Sequence, residues 1–314
     1  MYVTGTITDA NPGAALHTAM ASALTTAGFT LVDTVVISTR THKIWKSAAA
    51  NNAQGLDWYL DVIYTTTGAG TFSLVPFEFF DPATDLGYRG PHSAPGSTID
   101  AATFSRYGAT GQTLENTAWV SASGSYTWIT SPLVTTSFGY WVSVTGDRVS
   151  LLQSNDASRP LYAGFYQPDS LHAAKAGAGL YPLTAARLMA ANSSSAANPG
   201  SVSASLTRVP PITAFTGNWS DHLLIEGLGD SGMAVQRGQY PSIPAGSTVA
   251  HPLVAVPVEM WTFGMIPSTR WGTLRDVVQF PSSGVARGDT VTIDGSTYVA
   301  TTTTSGMSFA FKAV

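Results

Sequence analysis

Residues 12–27, PGAALHTAMASALTTA, place Leu16, Met20, Ala23, Leu24 and Ala27 at i, i+4, i+7, i+8 and i+11. That spacing lines them along one side of a helix. Asp9 and Asn11 stand where an N-cap is needed, Pro12 suits the first turn, and Gly28 supplies the left-handed residue that ends the helix. Beyond Gly28 the period changes to two. FTLVDTVVIST, HKIWKSA, LDWYLDVIYT and TFSLVPFEFF predict successive strands of a meander, separated by the turn-forming NNAQG and TGAG. Residues 81–117 read as loop. Strand signals return in TAWVSAS and SYTWIT, and then in a hairpin at 138–152. There Phe138, Tyr140, Val142 and Val144 share one face, Gly146-Asp147 turns, and Val149 and Leu151 return.

RPLYAGFYQP predicts a short apolar strand ended by Pro168, and LTAARLMAAN a short helix. The Ser/Ala/Gly stretch 192–205 predicts a linker or exposed loop. More short strands follow, and the chain nears its end on a second ribbon, GDTVTIDGSTYVATTTT at 288–304. Val291 and Ile293 alternate with Thr290 and Thr292 before Asp294-Gly295 and the returning Tyr298. Asp-Gly favours a type I′ turn, which needs positive φ at both central residues. The predicted fold class is mostly β (α+β). It consists of antiparallel sheets or a β-sandwich, with one N-terminal helix packed on the sheet and a C-terminal β-hairpin. Residues 1–195 form a helix-plus-meander domain in this reading, and 196–314 a smaller β domain carrying the terminal ribbon.

Only 11% of the 314 residues are charged, against roughly 25% in an ordinary soluble protein. The polar surface must come from Ser, Thr, Asn, Gln and Gly, groups that lose less on burial than ions do. Such a surface suits subunits buried in a permanent assembly. The net charge of −4 forms no basic stripe, which argues against nucleic-acid binding. The chain has no cysteine, so disulfides and thiolate metal sites are excluded. MYVTGTITDANPG lacks the pattern of a Sec signal, and no apolar run approaches the ~18 residues of a membrane span. Asn192 and Asn218 match the glycosylation pattern, which carries little weight without a secretion signal.

Several strings invite a chemical reading. Gly229-Asp230-Ser231-Gly232 matches the heart of the trypsin-like nucleophile motif, but Met233 follows where that family has glycine, and a tight turn explains it as well. The six histidines, His17, His42, His92, His172, His222 and His251, show no i, i+2 or i, i+4 pair that would build a metal site. His17 falls at the edge of the helix's apolar face. Glu78, Asp81 and Asp85 could pair as glycosidase carboxylates, but Asp81 and Asp85 are also ordinary turn formers. No cofactor-binding pattern is present. Trp58, Trp261 and Trp271 are candidate sugar-stacking rings, although most such rings here lie inside strand patterns that also suit a core.

Three stretches resemble a family of tailed-bacteriophage virion structural proteins. The first carries Thr4, Gly5, Thr6, Thr8, Asp9, Leu16, Leu24, Gly28, Phe29 and Thr30. The second carries Tyr140, Trp141, Arg148, Val149, Tyr162, Ala163, Gly164, Phe165, Pro168, Tyr181 and Pro182. The third, from RWGTLRDVVQF through the last ribbon to SFAFKAV, is similar to the closing ribbon of phage tail and baseplate subunits. The resemblance implies a structural subunit at the tail tip, baseplate or fibre-attachment region of a virion assembled in a bacterial host. It carries over no catalytic residue. Expected partners are other copies of the chain and other virion proteins, with no nucleic acid. Two alternatives stand beside it: a module of the same virion binding host-surface polysaccharide, and a hydrolase.

The ribbons at 138–152 and 288–304 are the expected assembly surfaces, through Tyr140, Trp141, Gly146 and Asp147 in one and Val291, Ile293, Asp294, Gly295 and Tyr298 in the other. Deleting 288–314 is expected to leave the front domain folded but to block assembly.

Overall fold

The computed structural model describes residues 1–37, 39–77, 79–81, 86–89, 105–107, 120–121, 124–125, 130–155, 160–168, 183–188, 201–206, 223–226, 255–262, 269–281, 285–301 and 307–314. β1 (Tyr2–Ile7) precedes α1 (Pro12–Thr26). Pro12 opens the helix, and Gly28, at φ 88°, follows its end. Asn11 sits at the N-cap position but spends its side-chain oxygen on the amide of Gly68, tying the helix start to a distant turn. Leu16, Met20, Ala23 and Leu24 are all fully buried, as the periodicity predicts.

The meander follows as β2 (Phe29–Ile37), β3 (Arg40–Ser47), β4 (Trp58–Thr65) and β5 (Gly70–Phe77). The short β6 (Phe79–Asp81), β7 (Leu86–Arg89) and β8 (Ser105–Tyr107) pair with one another, as do β9 (Val120–Ser121) and β10 (Gly124–Ser125). β11 (Thr130–Leu133) returns to β5, completing a five-stranded sheet in the order β11-β5-β4-β3-β2.

The larger sheet starts from β12 (Phe138–Thr145), β13 (Arg148–Gln153) and β14 (Leu161–Pro168). β15 (Leu183–Leu188), β16 (Ser201–Leu206) and β17 (Leu223–Glu226) extend it in one direction. β18 (Val256–Thr262), β19 (Thr269–Pro281), β20 (Thr290–Ile293), β21 (Ser296–Ala300) and β22 (Met307–Lys312) extend it in another. The long path runs β1-β12-β13-β14-β19-β22-β21-β20. β14 is the branch point: Leu161–Phe165 pair with β15, and Tyr166–Pro168 pair with β19. The boundary at 195/196 lies outside the described residues. LTAARL forms β15 rather than a helix, because its backbone is taken up between β14 and β16. Tertiary pairing here overrides a run of good helix formers.

The fold is thus mostly β, with antiparallel sheets, one N-terminal helix packed against them and a C-terminal hairpin. The main core gathers Leu16, Met20 and Leu24 of the helix, Trp58, Leu60 and Phe72 of the small sheet, and Val142, Val149 and Phe165 of the large one. A second core joins Leu152, Tyr162 and Tyr166 to Val277, Val299, Phe309 and Phe311. Gly164, at φ 145°, lets β14 run close beside β13, since a Cβ there would lie 2.3 Å from the Asp147 carbonyl oxygen.

Candidate functional site

Over its described residues, 288–301, the last ribbon forms as its sequence dictates. β20 and β21 close on a two-residue turn in which Asp294 and Gly295 take φ 48° and 74°. Val291 and Tyr298 face each other and, with Ile293, pack beside Val278, Phe280, Ala300 and Ala310. Thr290, Thr292 and Thr297 turn outward on the opposite face. β21 is flanked by β20 and β22, whereas β20 pairs only with β21 among the described residues. In an antiparallel ladder closed this way, Ile293–Ser296 and Val291–Tyr298 are the hydrogen-bonded pairs. The N–H and C=O groups of Thr290 and Thr292 therefore point away from the sheet, and that edge contains no charged side chain within the strand.

The ribbon at 138–152 is not a second free edge. β12 is held between β1 and β13, and β13 between β12 and β14. Its turn is tied into the chain as well. The Gly146 carbonyl accepts from Ser47 Oγ and Trp58 Nε1, both at 2.8 Å, and Asp147 Oδ1 accepts from the Ala53 amide at 2.9 Å. Tyr140 lies over Gly5, and Trp141 lies against Gly288 in the loop leading to β20. Tyr140, Trp141, Gly146 and Asp147 thus make contacts within the chain, and the expectation of strand addition there is corrected. Deletion of 288–314 would remove Val299, Phe309 and Phe311 from the second core, where they pack with Leu152, Tyr162 and Tyr166.

Trp58 cannot stack on a sugar. It is fully buried, edge-on to Phe29 and Phe165, with its indole N–H bound. Trp261 lies on β18 and Trp271 on β19, but their side chains fall outside the described residues. Ser231, Glu78, Asp85, His92, His172, His222 and His251 also lie outside them, as does the side chain of Asp81.

The sequence reading missed two buried polar clusters. His42 on β3 and Asp61 on β4 meet at 2.7 Å, His42 being 1% exposed and Asp61 not at all. Burial pushes the Asp61 carboxyl upward, and the His42 beside it opposes that shift. Ser73 on β5 is buried nearby with its hydroxyl unpartnered. The register runs His42–Ile63–Ser73 across three strands. Ser73 therefore stands about 9–10 Å from His42, two strand spacings away, too far for a nucleophile–base hydrogen bond. The second cluster centres on Arg148, fully buried on β13. Its Nε donates to Asp276 Oδ2 at 3.0 Å, Nη1 to the hydroxyls of Ser143 and Ser150 at 3.2 Å, and Nη2 to the Lys312 carbonyl at 3.0 Å. A carboxylate inside WYLDVIY was the one sequence signal for the first cluster; Arg148 and Asp276 stand 128 residues apart.

His17 is 8% exposed, and its Nε2 accepts from Trp45 Nε1 at 3.3 Å. Burial, with Lys43 adding to it, lowers its pKa from 6.5 to about 4. The unfolded chain takes up this proton near pH 6.5 and the native one only near pH 4. The stabilisation by neutral His17 is therefore complete above pH 6.5 and is lost as pH falls through this window, to a limit of about 3 kcal/mol. Melting temperatures of the wild type and His17→Gln should converge or cross as pH drops from 7 to 4. The paired comparison cancels the carboxylates, including Asp61, whose raised value acts in the opposite sense. Parallel curves would contradict this role for His17.

Among the described residues no group of three or more His, Cys, Asp or Glu side chains could hold a metal ion. No helix among them is long and apolar enough to cross a membrane. β20 offers an edge that carries no charged side chain and that no second strand pairs among the described residues. Comparison with protein-family models and with curated protein sequences finds no match to the chain.

Proposed function

We propose that the chain is a structural subunit of a tailed-bacteriophage particle, at the tail tip, baseplate or fibre-attachment region. It works by self-assembly and by contacts with other virion proteins. The observation that carries the reading is the edge of β20, where Thr290 and Thr292 turn their backbone groups outward along a strand free of charge, bulge or proline. An edge strand without charge, bulge or proline, unpaired on one side among the described residues, is a template for another strand.

Two sequence features support the same reading: the charged fraction of 11% and the three stretches that resemble virion proteins. The role needs no cofactor and no catalytic group. Its test is the solution mass of the purified chain by size-exclusion with light scattering. A discrete oligomer larger than the 32.8 kDa subunit is expected. A monomer at every concentration would overturn self-assembly.

A further inference from the structure

We infer that β20 of one copy adds to β2 of the next, so that subunits join head to tail. The inference rests on the self-assembling role proposed above and names its partner surface. Among the described residues β2 pairs on one side only, and it bears the exposed apolar side chains. Five large hydrophobic residues are exposed among those described; two are the terminal Met1 and Val314, and the other three, Leu31, Val32 and Val36, are all on β2. Val36 is 63% exposed, the most of the five.

β2 pairs only with β3 among the described residues. The ladder pairs Val35 with His42 and Ile37 with Arg40, so Thr34 and Val36 turn their backbone groups outward. The Thr34 amide is capped by Asp33 Oδ1 at 2.6 Å in the single chain, and an arriving carbonyl would replace that contact.

Charge selects this pairing over the symmetric ones. The β2–β3 hairpin carries one acid, Asp33, against Arg40, Lys43 and Lys46. Lys46 is matched by Asp57, whereas the Lys43 ammonium donates to the neutral Thr34 hydroxyl at 3.0 Å, beside the open edge. The β20 strand is bracketed by two exposed acids, Asp289 and Asp294, and 288–304 contains no base. Pairing β20 with another β20 through Thr290 and Thr292 would set Asp289 of one copy next to Asp294 of the other, and adjacent like charges destabilise a strand pair. Pairing β20 with β2 brings an acidic ribbon to a basic one. Such a heterologous contact, repeated around a closed rotation, gives a ring, the discrete oligomer expected above.

Two single variants, alone and mixed, test it by light scattering. Val36→Lys places a charge on the β2 edge, and Thr292→Pro removes an outward N–H from β20 that bonds nothing within the sheet. Each alone should stay monomeric. Mixed in equal amounts they should give a two-subunit species, since Val36→Lys still offers β20 and Thr292→Pro still offers β2. Thr292→Lys replaces the proline variant if that one loses cooperative unfolding. A mixture that stays monomeric, or a Val36→Lys chain that assembles like wild type, overturns the β20–β2 contact while leaving self-assembly standing. A monomeric wild type overturns both.

Discussion

Replacing Arg148 by alanine is expected to destabilise the protein by about 3–5 kcal/mol, the scale seen when one member of a buried charged cluster is removed. That is a large part of the roughly 5–15 kcal/mol that holds a typical domain. The side chain is fully buried and ties β12, β13, β19 and β22 together through Ser143, Ser150, Asp276 and the Lys312 carbonyl. Asp276 holds a left-handed backbone, φ 56°, where β19 passes from β14 to β22. Residues other than glycine rarely adopt it unless held there. Arg148→Lys keeps the charge but cannot spread donors over four acceptors, so most of the loss should persist. Arg148→Met keeps much of the packing and should fall between. The shift in urea midpoint reads all three, and an alanine variant within 1 kcal/mol of wild type would refute the role.

Trp58→Ala should cost a similar amount, about 3–5 kcal/mol, because a large buried ring leaves a cavity that rigid neighbours cannot fill. Its ring centroid lies 5.3 Å from that of Phe29 and 5.8 Å from that of Phe165, so one indole joins the start of the meander to β14. Trp58→Phe should lose less, about 1–2 kcal/mol, since the Gly146 carbonyl keeps its bond from Ser47. Chemical denaturation of the two variants measures the difference. Equal losses would mean that the indole N–H, and not the ring volume, dominates.

The helix and the last hairpin were legible because each is specified locally. Leu16, Met20 and Leu24 recur at the helical period, and Asp294-Gly295 demands a turn that few other pairs allow. The β12–β13 hairpin was equally legible as a hairpin, but its surroundings were not. β1 arrives from over a hundred residues upstream to fill one edge, and β14 fills the other. Whether a ribbon is open depends on such long-range pairing, which periodicity does not encode. LTAARL reads as a helix for the same reason: its partners on β14 and β16 decide its conformation. Trp58 belongs to a strand pattern whether it faces a core or a ligand, and only the packing of Phe29 and Phe165 distinguishes the two. Arg148 and Asp276 became partners only because β13 and β19 both pair with β14.

The central claim, assembly through the open edge of β20, is tested most directly by the solution mass of the wild type beside Thr292→Pro over the same concentration range. Within the sheet that substitution removes no hydrogen bond, so both chains should unfold alike. The account predicts a discrete oligomer for the wild type and a monomer for the variant. A variant that assembles as far as the wild type, or a wild type that never assembles, would contradict it.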